Sequence, residues 1–334
     1  MELVNLTPFA AERLILMNGE GFEVLLVVVK ATYGLRAGVP EVADVQEAVV
    51  MADEYLGEPG ASSVRRAAET SLGKPAADVV VTGAAWSRRD RRTEALVVLD
   101  IGPVRKALMV RGDRVWEGRL WTSAPSPRPF ESIPLVYERA FGGVDRTTDP
   151  VEAWPENPVG RGFRGKGSKA QVAGTALPNL EDVYQPITKP TDRPPSRCLG
   201  PIGPGWQPRP QFAGTYDALW RRERMPFPPA DFDSRFEHPV PPDQVLPGYI
   251  AGGEQLTLSG VRPDGGGYRF ALPALQPKVV VRIAGERVTP KVCCDTVIVD
   301  SEAENLCLVC RAVLKVQGRV SDIDWIKVEE QAHA

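Results

Sequence analysis

The chain has 334 residues with 40 basic and 43 acidic side chains, a formal charge of −3. That length suffices for one large domain or two ordinary ones, and the near-neutral balance offers no broad attraction to nucleic acid or to an anionic membrane. The longest apolar run, Val24 to Val29, falls far short of the roughly 20 residues a spanning helix needs. The start, Met1-Glu-Leu-Val-Asn-Leu, lacks the basic, apolar and small-residue regions of a secretion signal, so a cytoplasmic protein is expected.

Taken in order, Glu23 to Tyr33, Asp78 to Trp86, Glu94 to Ile101 and Val104 to Val110 are rich in Val, Leu and Ile and bounded by turn residues, the pattern of strands. The short spacing of the last three favours antiparallel pairing over helical crossovers. Between the first two, Ser62 to Leu72 reads as a short helix with a thin apolar stripe. Residues 121 to 250 then hold 23 of the 32 prolines and 15 of the 24 aromatic residues. Proline forbids a continuous helix or central strand there, yet a disordered linker would lack the aromatics. A packed, irregular structure is expected, with one helix from Thr215 to Arg224, where Tyr216, Leu219 and Trp220 fall at i, i+3 and i+4 and prolines stop the run. Strands resume at Gln255 to Ser259, Tyr268 to Leu272, Lys278 to Ile283, Val292 to Val299 and Leu306 to Val316, the first two joined by a turn at Asp264-Gly-Gly-Gly267.

The expected fold is mainly β: packed antiparallel sheets from both chain ends, few short helices, and a single large domain over 1-330 in which 121-254 wraps the sheets. Contacts between Val24 to Tyr33 and the strands after residue 275 would separate this from a two-domain arrangement.

Metal and cofactor signals do not hold together. Cys293-Cys294 and Cys307-Leu-Val-Cys310 suggest four thiolates for zinc, but on strands adjacent side chains point to opposite faces, so buried, reduced thiols are expected and no metal. Gly160-Arg-Gly-Phe-Arg-Gly165 matches a dinucleotide loop in letters only, because Trp154-Pro-Glu-Asn-Pro158 replaces the preceding strand. Histidine is limited to His238, read as an exposed loop residue, and His333. The basic runs Arg88-Arg-Asp-Arg-Arg92 and Arg221-Arg-Glu-Arg224 read as solvated faces. No cofactor is expected.

Asp217, Asp231, Asp233, Asp243 and Glu254 lie in the proline-rich stretch, where carboxylates either hydrolyse a substrate or cap turns and receive orphan amides. A hydrolase of a glycan or phosphoester at Asp231, Asp233 and Glu254 is one functional alternative. A carbohydrate-binding β module stacking sugar on Trp154 and Trp206 is another. Val136-Tyr-Glu-Arg-Ala-Phe-Gly-Gly143 is either a displayed recognition element or an anchor of the irregular segment to a sheet.

A further reading rests on resemblance. Pro134-Leu-Val-Tyr-Glu-Arg-Ala-Phe-Gly-Gly143, Asn157-Pro-Val-Gly-Arg-Gly-Phe163, Leu177-Pro-Asn-Leu-Glu181, Gly214-Thr-Tyr-Asp217, Asp231-Phe-Asp233, Asp243-Gln244 and Pro247-Gly-Tyr-Ile-Ala-Gly-Gly-Glu254 occur in order. Asn5-Leu-Thr-Pro-Phe9, Val27-Val-Val-Lys-Ala-Thr-Tyr33 and Lys74-Pro-Ala-Ala-Asp-Val-Val79 precede them. The set resembles a bacterial family, domain of unknown function 2169, whose members tend to be encoded beside type VI secretion spike and effector genes. The resemblance implies a non-enzymatic adaptor or chaperone that binds an effector or its spike or spike-tip carrier. The candidate partner-binding residues are Tyr137, Glu138, Phe141, Trp154, Phe163 and Trp206.

Overall fold

The computed structural model describes residues 1–36, 38–87, 91–117 and 124–330. The fold is mainly β, as the strand patterns predict. A six-stranded sheet runs Ala10–Met17, Glu23–Gly34, Asn305–Lys315, Val292–Asp300, Asp78–Thr82, with Glu41–Val42 paired to the end of Glu23–Gly34. Its neighbours are antiparallel except Asp78–Thr82, which lies parallel to Val292–Asp300. A five-stranded sheet follows the order Leu180–Asp182, Val104–Arg111, Glu94–Ile101, Gln255–Ser259, Gly267–Ala271. The third, four-stranded sheet runs Glu2–Asn5, Ile323–Glu330, Pro277–Ile283, Glu286–Val288.

One apolar cluster joins these sheets. Leu25, Val27, Val29, Ala31 and Tyr33 supply one face of Glu23–Gly34; Leu308 comes from the strand paired with it, Leu99 and Leu258 from the five-stranded sheet, and Val279 and Ile326 from the four-stranded sheet. Each β-branched or aliphatic side chain at alternate positions meets this core, so burial of apolar area fixes the register: a slip of one residue would expose the whole set. Residues 24–33 therefore pair directly with Asn305–Lys315, beyond residue 275.

Three expectations change. Ser62 to Leu72 is not a helix: Val64–Arg66 pairs as a strand with Glu54–Tyr55. Its polar residues serve distant groups instead, Ser63 meeting Glu138 and Glu69 accepting from the Val50 amide at 2.8 Å. The helix expected over 215–224 is confined to Ala218–Glu223, capped by Asp217 accepting from the Trp220 amide. His238 is buried and bonded to Asp78 through Nδ1 at 2.6 Å; its proline-rich surroundings are packed and not exposed.

Between 124 and 254, strands last two or three residues and 3-10 turns carry much of the path. The segment nonetheless enters the common core through Tyr137, Ala140, Leu180, Cys198, Leu199, Ile202, Trp206 and Leu246. Among the described residues, no helix is long and apolar enough to cross a membrane. The basic run's residues 88–90 and His333 lie outside the described residues.

The cysteines show the alternation that argues against a tetrahedral centre. Cys294 and Cys310 are register partners, with a bulge between Cys294 and Thr296, and both sit in the main core. Cys307 lines a cavity on the other face. Burial pushes its thiol up to about 12, so it stays protonated and uncharged near neutrality.

Candidate functional site

The proline-rich segment is organised by polar side chains that replace a hydrogen-bond ladder. Asn157, fully buried, donates through Nδ2 to the carbonyls of Tyr137 and Phe141 at 2.8 and 3.0 Å. This draws two stretches of backbone so close that a Cβ on Gly142 would lie 2.1 Å from the Asn157 carbonyl oxygen. With φ of +151 and that contact, glycine is required. The close approach allowed by Gly142-Gly143 is thus made by the chain itself. Gly160-Arg-Gly-Phe-Arg-Gly165 belongs to the same assembly, with Arg161–Gly162 pairing parallel to Phe141–Gly142.

Around this knot the candidate aromatics form two groups. Tyr137 meets Trp206 edge-on, with ring centroids 5.3 Å apart, and both are buried. Phe141, also buried, meets half-buried Trp154 at 5.2 Å, and Trp154 meets half-buried Phe163 at 5.5 Å. Arg193 lies over the Phe163 ring. Such ring pairs contribute about 0.5–1.5 kcal/mol beyond their burial. The remaining candidate, Glu138, points the other way: its carboxylate accepts from the Ser63 amide and hydroxyl at 2.8 and 2.7 Å, tying down the 54–66 strap. Of the six, Trp154, Phe163 and Glu138 keep partial exposure.

The carboxylates are engaged one by one. Asp231 accepts from the Thr215 amide and hydroxyl, Asp233 pairs with Arg235 and accepts its amide, and Glu254 accepts the Ala251 and Gly252 amides. Hydrogen bonds from Thr215 hold Asp231 below the usual carboxylate range, and Arg235 does the same for Asp233. Each closes a turn that proline or glycine leaves short of acceptors. Among the described residues no group of three or more His, Cys, Asp or Glu side chains is placed to hold a metal ion.

A second polar assembly frames a surface cleft. Lys106, buried in the five-stranded sheet, reaches Asp243 Oδ1 and Gln244 Oε1, both at 2.8 Å. Gln244 spends its amide nitrogen on the carbonyls of Val79 and Leu199. Arg197 bridges Asp243 and Asp182 at 2.7 and 2.6 Å. Burial lowers the Lys106 ammonium, with Asp243 acting against it. The cleft has a volume of about 370 Å³, its walls include Pro195, Pro208, Pro241 and Pro242, and Tyr137 lines it. The Tyr137 hydroxyl, buried, finds no hydrogen-bond partner among the described residues. Burial pushes its pKa well above the ordinary value, so near neutrality it is a phenol able to donate.

Sequence reasoning found the aromatics and read Asp217, Asp231, Asp233, Asp243 and Glu254 as carboxylates that either catalyse or cap turns; it missed Asn157, Glu181 and Gln244, although these stand inside the phrases quoted for their order. Asn157, Glu181, Asp217, Asp231, Asp243, Gln244 and Glu254 all lie there, and each satisfies a backbone group or a buried cation. A polar residue among prolines, aromatics and glycines was the available signal.

What these features define is a β-sheet protein with an ordered proline-rich segment folded across its core and a proline-walled cleft on that segment. The chain belongs to the family described as "Uncharacterized protein conserved in bacteria (DUF2169)", whose model matches residues 20–311. No curated protein and no solved structure matches it.

Proposed function

We propose that the chain is a non-enzymatic, cytoplasmic adaptor or chaperone that holds a protein client on the surface of its proline-rich segment. The observation that carries the reading is the internal satisfaction of that segment. Asn157, Asp231 and Glu254 are committed to the segment's own backbone, Gln244 to the Val79 and Leu199 carbonyls and Asp243 to buried Lys106, while the cleft beside Tyr137 is open. A surface stiffened by prolines before the partner arrives loses little conformational freedom on binding. Its proline walls suit an apolar side chain, and Arg197 and Gln207 beside them suit polar groups that flank it. The resemblance supplies the client class: a type VI effector or its spike or spike-tip carrier.

The test is co-expression with an effector or spike protein encoded beside the gene, followed by co-purification. Gln207 is exposed and lines the cleft, so Gln207→Trp fills it from the solvent side. Client recovery should fall at least fivefold with the thermal midpoint unchanged. Folded Asp231→Asn plus Asp233→Asn and Glu254→Gln variants should retain the client. If those variants hold the client but abolish a hydrolytic activity seen in the wild type, the protein is an enzyme and the adaptor reading fails.

A further inference from the structure

The outer face of the six-stranded sheet carries a feature the adaptor reading does not use. Along Glu23–Gly34 this face runs Leu26, Val28, Lys30, Thr32, and it is the lysine that breaks the apolar pattern. Lys30 is 1% exposed and pairs with Glu69 at 2.9 Å and with Glu47 at 3.6 Å. Nearby, Lys74 meets Asp78 and donates to the Thr296 hydroxyl at 2.7 Å. Arg311, 3% exposed, spends Nη1 on Asp295 and Nε on the Glu69 carbonyl. Its Nη2, buried too, has no hydrogen-bond partner among the described residues.

Arg311 lines a cavity of about 40 Å³ that also touches Lys30, Lys74 and Cys307. The cavity meets a wider cleft of about 300 Å³, the two sharing Arg65, Arg66, Thr82, Pro201 and Asp300. Leaving a donor of a buried guanidinium without an acceptor is costly, so the arrangement is suited to receive one. Five cationic side chains line the cavity (Lys30, Arg65, Arg66, Lys74, Arg311) against three anionic ones (Glu47, Glu69, Asp300). Two of those three already face Lys30. Lys74 and Arg311 have their own counterions in Asp78 and Asp295, and Arg66 faces Glu47, so what is left over is the Nη2 donor of Arg311 inside and the exposed cation Arg65 at the mouth.

We infer that this cavity binds a carboxylate group, which enters through the cleft past Arg65 and accepts from Arg311 Nη2. With Nη1 and Nε already engaged, Nη2 offers a single charged nitrogen donor, and a charge-assisted hydrogen bond favours an anionic oxygen as its acceptor. A space of this size admits the flat carboxylate head, while the apolar walls at Val50, Val80 and Ile298 exclude competing water. The carboxylate could belong to a free small acid or to an acidic residue of a polypeptide; the chemistry recognised is the same, and experiment separates the sources. The inference does not depend on the adaptor reading.

The probes are sodium acetate and sodium succinate, compared with sodium chloride at equal ionic strength, and a Glu-containing peptide compared with its Gln counterpart. Thermal midpoint and titration calorimetry are read on the full chain. Wild type should be stabilised by acetate or succinate over chloride, or should bind the Glu peptide at least tenfold more tightly than the Gln peptide. The first result assigns a small-acid site and the second a site for an acidic polypeptide. Arg65→Gln, at an exposed position, should fold normally and weaken the effect at least fivefold, and Arg311→Lys, which keeps charge but loses Nη2, should abolish it. Should Arg311→Lys fail to fold, Arg65→Gln still decides the matter. Equal responses to carboxylate and chloride, together with equal affinity for the two peptides, would overturn the assignment, as would an unaltered response in Arg65→Gln.

Discussion

In Glu23–Gly34 every side chain from Val24 to Tyr33 is buried, and order comes from apolar area on one face and a mixed apolar and ionic cover on the other. Between 124 and 254 the backbone has almost no ladder to share, and order comes from single side chains that each answer one or two backbone groups. The first kind of order is collective: removing one methyl group weakens a core without unpicking it. The second is made of discrete ties, so it should come apart locally when a tie is cut and should respond to the protonation state of the carboxylates that make it. Two parts of one molecule thus reach order by different means and with different sensitivities.

The largest effect should follow a core truncation. Leu308, fully buried in the main cluster, pairs with Ala31 of the neighbouring strand, and Leu308→Ala should cost about 2–5 kcal/mol. In chemical denaturation the sheets and the proline-rich segment should lose structure at the same lowered midpoint. Asn157→Ala should cost about 1–3 kcal/mol, two lost hydrogen bonds at about 0.5–1.5 kcal/mol each, with the Tyr137 and Phe141 carbonyls keeping the Ala140 amide and the Ser196 hydroxyl as their remaining donors. Here limited proteolysis should show new cleavage within 137–163 while amide exchange in Asn305–Lys315 stays slow. If both regions lost protection equally, the distinction between collective and discrete order would fail.

A smaller effect is expected on acidification. At Asp145, Asp182 and Asp192 burial works against ionisation, but hydrogen bonds from neighbouring amides and hydroxyls, and from Arg197 at Asp182, outweigh it and hold the pKa down. Asp231 and Asp233 are lowered as well, by Thr215 and Arg235. A lowered folded-state pKa means stability that is present above the unfolded value, near about 3.9 for Asp, and lost as pH falls through the folded one. Glu237, raised chiefly by burial, has the opposite sign. Tryptophan fluorescence, to which Trp154, Trp206 and Trp220 between 124 and 254 contribute three of the chain's seven tryptophans, should therefore change below about pH 4 before far-ultraviolet dichroism reports loss of the sheets. Simultaneous loss would contradict the comparison. The smallest expected effect is that of a chelator. With Cys294 and Cys310 in the core and Cys307 across the sheet from them, the thermal midpoint should not move; a fall of several degrees would mean that a metal contributes to the fold.

Strands with long apolar runs or clean alternation were legible: Glu94–Ile101 and Gln255–Ser259 have the expected ends. The strands Glu2–Asn5, Ala10–Met17 and Ile323–Glu330 were not read, because edge and half-exposed positions dilute the period. Short pairings such as Phe141–Gly142 with Arg161–Gly162 fall below any period. The aromatic anchors were visible as composition, but their neighbours were not, since Tyr137 and Trp206 are brought together by a path no local rule follows. Lys30 is the instructive miss. A lysine in the middle of an unbroken apolar strand must have a buried counterion, yet that partner, Glu69, stood in a stretch read as an isolated helix.

One pairing has a consequence for how the molecule is made. Glu2–Asn5 lies parallel to Ile323–Glu330, and Glu23–Gly34 is completed by Asn305–Lys315. During synthesis the stretch Val24 to Val29 leaves the ribosome long before the strand that covers its edge exists. Contacts spanning nearly the whole described chain make folding slow, and an exposed apolar edge invites pairing with other nascent copies. Yield of native protein should therefore depend on expression rate and on general folding assistance more than on equilibrium stability, and slowing translation should raise the soluble fraction even of the wild-type chain.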